Sequence, residues 1–100
     1  MKDALKYIKE LAAQRERLAR KAEPYWADQI NAVIEGRITD CKHIEKILDG
    51  LLDFCFDPAM LRLFKTMARY YFQINPLAAE EYVNIYREMW DSDTLPEWVP

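Results

Sequence analysis

Three residue types are nearly missing from this chain: of its 100 residues two are Gly, one is His (His43) and one is Ser (Ser92). With so little glycine there is no low-complexity tract and no glycine-rich backbone to hold a phosphate. Ser92 lies close to the C-terminus, and neither cysteine has an evident activating partner, so nucleophilic catalysis has no candidate. Asp40-x-x-His43 with Cys41 and Cys55 offers metal-binding residue types, but His43 falls on the polar side of its helix, away from both cysteines. Zinc takes four ligands, or three plus water, at tight spacing. The paired Glu-x-x-His motifs of di-iron bundles are also missing. The reading is a non-enzyme with no metal and no cofactor. Long hydrophobic runs are lacking too. The start, MKDALKYIKE, has no apolar core of a signal peptide, and no run approaches transmembrane length. Cys41 and Cys55 stand 14 residues apart on one expected helix. That is roughly 21 Å at about 1.5 Å per residue, too far for a disulfide. Both fall on the apolar face and read as reduced core residues of a cytoplasmic protein.

What the chain has is helical periodicity and enough apolar mass for a core without staples, 51% hydrophobic and 13% aromatic. Ala4, Leu5, Ile8, Leu11, Ala12, Leu18, Ala19 and Ala22 make one stripe, and Trp26, Ile30 and Val33 continue it past Pro24. Proline costs a helix one backbone donor, yet nothing near Glu23 would make a turn. The pattern favours one helix over about 3–35, kinked at Pro24, with two helices breaking at 23 as the alternative. Gly36 ends it as a C-cap. Thr39 or Asp40 then caps a second helix running to about Cys55, with Ile44, Ile47, Leu48, Leu51, Leu52 and Phe54 on one side.

Asp57-Pro58 and Asn75-Pro76 are paired start signals, each a capping side chain before a proline at the first helical position. They predict helices over about 58–73 and 76–91. Shifted by 18 residues onto each other, these helices pair Phe64 with Tyr82, Met67 with Ile85 and Phe72 with Trp90. The first of them has the widest apolar face and belongs at the centre. The expected fold is an all-α compact bundle of four helices, five if the first breaks at Pro24: a long N-terminal helix plus three helices of about 16 residues. Residues 1–91 form a single domain and 92–100 a tail, with Leu95, Trp98 and Val99 able to fold back. Because the first helix is nearly twice as long as the others, it either bends over them or protrudes and needs a partner, a homodimer being the commonest solution.

Charge supplies the functional leads. Residues 1–22 carry seven Lys or Arg against three acids, whereas residues 75–100 carry one against six, within a net charge of −3. This acidic balance argues against nucleic acid as a partner. Glu45, Asp49 and Asp53 stand four apart on one helix, and Asp57 continues the spacing. Like charges so placed repel by about 0.2–0.5 kcal/mol per pair, and the helix dipole disfavours an acid at the C-terminal end. The plainer reading is a solvated face eased by Lys42 and Lys46; the sharper one is a docking face for a basic protein partner. Arg15 interrupts the apolar stripe of the first helix, either snorkelling to water or pairing with a ladder carboxylate or across a dimer. Arg62, Lys65 and Arg69 form a basic stripe that meets the ladder, binds phosphate or is simply solvated. The aromatics Tyr70, Tyr71, Phe72, Tyr82, Tyr86 and Trp90 read as core before they read as a ligand pocket.

The stretch LLDFCFDPAMLRLFKTMARYYFQINPLAAEEYVNIYREMW, residues 51–90, resembles small helical proteins carried by phages and mobile elements of Gram-positive gut bacteria. The resemblance implies an accessory protein that binds and modulates a larger one, inhibitors of host defence nucleases being one such class. Taken together, the expectation is a protein-interaction module with an acidic docking face. The alternatives are an inhibitor of a nucleic-acid-binding defence enzyme and a small ligand-binding bundle.

Overall fold

The computed structural model describes residues 2–90, with side chains from residue 4 onward. Four α-helices follow in order: α1 (Lys2–Glu35), α2 (Cys41–Leu52), α3 (Pro58–Ile74) and α4 (Pro76–Trp90). The expected all-α bundle of four helices is what forms. The expected tail, and Asp91 as the last residue of the fourth helix, lie outside the described residues.

Two long-range hydrogen bonds fix the directions of the helices. Near the end of α3, the Tyr70 hydroxyl donates to the Ile38 carbonyl just past α1, at 2.8 Å. At the end of α4, the Trp90 indole N–H donates to the Leu52 carbonyl at the end of α2, at 2.9 Å. So α1 runs with α3, α2 runs with α4, and consecutive helices are antiparallel. The central helix is α3, which packs against the other three. Its Met60, Phe64, Met67, Ala68 and Tyr71 are all 0% exposed, as its wide apolar face requires.

α1 is continuous through Pro24. Pro24 and Arg20, whose carbonyl loses its partner, are both exposed, so the missing bond faces water rather than the core. The helix ends in paired backbone bonds, Ile38 N–H to the Val33 carbonyl at 3.0 Å and Arg37 N–H to the Ile34 carbonyl at 3.2 Å. In this Schellman arrangement Gly36 stands at the C-cap, but the left-handed residue is Arg37, with φ of 50°. The conformation that favours glycine is therefore one position past the glycine.

α2 is capped by Asp40, whose carboxylate accepts from the Lys42 N–H at 3.1 Å. It stops at Leu52, three residues short of the expected Cys55, and is correspondingly shorter than expected at 12 residues. The cause is the next start signal. Asp57 must be extended ahead of Pro58, and it adopts φ −92° and ψ 127° while its carboxylate accepts from the Met60 N–H. The chain turns over 53–57 to reach that geometry, and Cys55 is buried from the turn rather than from the helix.

Glycine is required at one place in α2. A Cβ on Gly50 would lie 2.3 Å from the ring of Trp26, so the indole of α1 rests on bare backbone. In an ordinary helix Gly→Ala stabilises by about 0.5–1 kcal/mol. Here the overlap reverses the sign: Gly50→Ala is expected to lose about 1–2 kcal/mol in urea unfolding, with a changed near-ultraviolet signal from Trp26. Arg37→Gly is expected to do the opposite, gaining about 0.5 kcal/mol by relieving the left-handed arginine.

Candidate functional site

The acidic ladder divides once it is folded. Glu45 is half-buried and accepts a hydrogen bond from the hydroxyl of Tyr71, a side chain of α3 that is itself 0% exposed. Asp49 is exposed at the helix surface, near enough to Tyr82 of α4 to act on its hydroxyl. Asp53 is exposed at the C-cap of α2. Asp57 is not part of the ladder at all, because it is the N-cap of α3. Glu45 thus ties α2 to the central helix behind it, and the Tyr71 hydroxyl is a donor that eases the crowding of carboxylates. Lys42 and Lys46 stay exposed beside them.

The tyrosines carry the electrostatic signature of this arrangement. Burial raises the Tyr71 hydroxyl well above the ordinary tyrosine range, and the Glu45 carboxylate and the Cys41 thiol beside it push further the same way. Tyr82 is raised by burial, then by the neighbouring Asp49 carboxylate, and further by the charges of Glu45 and Glu81. Both hold their protons more tightly, which suits donors and disfavours a tyrosinate nucleophile. The helical spacing of these tyrosines places them in the core without assigning partners to their hydroxyls. The signal available was that a buried Tyr must bond through its tip.

Arg15 stays exposed, as snorkelling requires, and rests its guanidinium on an aromatic ring. Its guanidinium carbon lies 4.4 Å from the centre of the Phe56 ring. Phe56 in turn lies against Phe54 and Trp90, with ring centres 6.3 Å and 6.1 Å away. This aromatic corner closes the bundle at the level of Arg15, and α1 continues beyond it.

Beyond that corner α1 is bare. The first buried residue along the chain, among those described, is Ala19. Leu5, Tyr7, Ile8 and Leu11 are 57%, 63%, 60% and 42% exposed, and Leu18 and Tyr25 extend the exposure along the flank of the bundle. At about 1.5 Å per residue the 34 residues of α1 span roughly 51 Å, matching the 50 Å long axis of the molecule. The radius of gyration, 15.1 Å, exceeds the roughly 13 Å of a compact chain this long. Of the two dispositions open to a long first helix, protrusion is the one adopted.

The remaining candidates are scattered. Arg62 and Arg69 are exposed and Lys65 is half-buried on α3. His43 is half-buried, and among the described residues no group of three or more His, Cys, Asp or Glu is arranged to hold a metal. Both cysteines are free thiols. Burial, and secondarily Asp53, pushes the Cys55 thiol up to about 12. A feature the sequence did not reveal is a second exposed apolar row on α4, formed by Leu77, Ile85 and Met89. The 18-residue match set Ile85 against Met67, but Met67 is buried in the central helix and Ile85 is 40% exposed on an outer one. No helix among the described residues is long and apolar enough to cross a membrane. Comparison with protein-family models, with curated proteins and with solved structures returns no match.

The raised tyrosines give a pH dependence with a definite sign. Above about pH 10 the unfolded chain releases tyrosine protons that the folded chain keeps, so the unfolded state is favoured. For Tyr71 this amounts to about 1.4 kcal/mol per pH unit, starting near pH 10. Urea unfolding across pH 9–12 is expected to show this loss, and Tyr71→Phe to flatten it. At neutral pH the same variant leaves the half-buried Glu45 carboxylate without its donor, at a cost of about 1–3 kcal/mol. In native protein a thiol-alkylating reagent is expected to modify Cys55 only on unfolding, read by mass spectrometry of the labelled peptide.

Proposed function

We propose that the protein is a non-enzymatic interaction module that docks on a protein partner through the projecting half of α1. One observation carries the reading: Leu5, Ile8 and Leu11 stand exposed on an arm that none of the other described helices covers. Burying one such side chain is worth about 1.5–3 kcal/mol, so a cluster left in water marks an interaction surface. The arm is also built to hold its shape alone. Residues 9–22 are Ala, Leu, Arg, Lys, Glu and Gln throughout, all strong helix formers, and the packed half of α1 supplies the nucleus.

The acidic ladder takes second place in this reading. Glu45 is engaged internally, which leaves Asp49 and Asp53, flanked by Lys42 and Lys46, as the carboxylates a basic partner would meet. Docking by a rigid, exposed amphipathic helix is the helix-in-groove mode, read as anchors three or four residues apart. It suits a small accessory protein acting on a larger one, the kind that the 51–90 stretch resembles.

Replacing Leu5, Ile8 and Leu11 together with Ser tests the reading. All three are exposed, so the thermal midpoint is expected to move little, each change staying within about 0.5 kcal/mol. Recovery of partners with tagged protein from its source cell is expected to fail for the variant. Recovery unchanged from the unsubstituted protein would sink the proposal.

A further inference from the structure

The two uncovered apolar rows sit in fields of opposite sign. On the arm, Leu5, Ile8 and Leu11 have Lys9 at their edge and the exposed Arg15 in line with them one turn past Leu11, while Lys6 stands on the far side; residues 4–22 as a whole carry six Lys or Arg against two Glu. On α4, Leu77, Ile85 and Met89 are 76%, 40% and 48% exposed. Their separations of eight and four residues put them on one helix face, with Glu81 and Glu88 exposed among them and Glu80 beside them. The only cation of α4 is Arg87.

The geometry points to a second copy of this chain as the occupant of both rows: the arm of one protomer lies along the outer face of α4 of the other, and reciprocally. This rests on the reading of the arm as the docking element and names its partner. Lengths agree. Leu77 to Met89 spans about 18 Å, and the exposed row that runs from Leu5 on the arm to Leu18 on the adjoining flank of the bundle spans about 20 Å at 1.5 Å per residue. Topology requires two molecules. The arm leaves the bundle at the Arg15–Phe56 corner, where α4 ends at Trp90, and runs away from its own α4. Its apolar face can reach such a row only on a neighbour. A two-fold axis then satisfies both arms and both α4 faces with one set of contacts, closing the assembly. Charge chooses between the two ways of pairing. Row against row in two copies of α1 would bring like-charged segments together, whereas the same row against α4 sets Lys9 and Arg15 near Glu81 and Glu88.

The test is sedimentation equilibrium of the full chain over a wide concentration range, on the unsubstituted protein and two charge-reversed variants. One variant carries Glu81→Lys and Glu88→Lys; the other carries Lys9→Glu and Arg15→Glu. All four positions are exposed, and circular dichroism checks that both variants fold. The unsubstituted protein is expected to be a dimer that dissociates as salt rises. Each variant alone is expected to self-associate at least about tenfold more weakly, since like charges then face each other at both contacts. An equimolar mixture of the two is expected to recover the dimer, because each arm then meets an α4 of opposite sign. A monomer at every concentration overturns the proposal. So does a dimer that the α4 changes leave intact and Leu5→Ser, Ile8→Ser and Leu11→Ser abolish, which would mean arm against arm. Arm-dependent cosedimentation of a monomer with phosphatidylserine vesicles overturns it in favour of a lipid surface. If the protein is monomeric yet recovers another protein through the arm, self-association is wrong and the docking reading stands. If the arm substitutions change neither measurement, both are wrong.

Discussion

The length of α1 is the constraint on which the rest of the molecule depends. A helix of 34 residues is packed against helices of 12, 17 and 15 residues, and helices that short can cover only about half of it. The covered half supplies Ala19, Ile30 and Val33 to the core. The other half keeps the same apolar periodicity with no described helix to bury it. Pro24 does not relieve the mismatch by folding the helix back, because its cost falls on the solvent side and is too small to break a helix held by packing on both sides of it. Protrusion follows, and with it the exposed leucines that carry the functional reading.

Inside the bundle, polar groups rather than further apolar area hold the helices in register. The Tyr70 hydroxyl pins the end of α3 to the loop after α1, and the Trp90 indole pins the end of α4 to the end of α2. Between them the Tyr71 hydroxyl donates to Glu45 of α2. Each bond satisfies a tip that burial would otherwise leave without a partner, and each is directional where hydrophobic contact is not. The acidic ladder looks unfavourable along its own helix. Its logic appears only when the helix behind it supplies a donor.

The helices themselves were legible in the chain because their signals are local. The Asp57-Pro58 and Asn75-Pro76 starts form where expected, with both side chains accepting from backbone N–H groups three residues on. The wide apolar face of 58–74 placed α3 at the centre. The end of α2 is not legible in the chain because the apolar pattern runs on through Phe54 and Cys55, both of which pack on the core from a turn. Periodicity reports which side chains face inward, not whether the backbone carrying them is still helical.

By itself, then, the sequence determined an all-α bundle, its caps, its central helix and a first helix too long for its neighbours, since capping and periodicity are properties of a few adjacent residues. Only the tertiary structure decided that Arg15 stacks on Phe56, that Glu45 belongs to Tyr71, that Trp26 needs Gly50 bare, and that Leu77, Ile85 and Met89 face outward. Those outcomes depend on which helix lies across from which, and on where the bundle stops along α1. Both are set by the packing of all four helices at once.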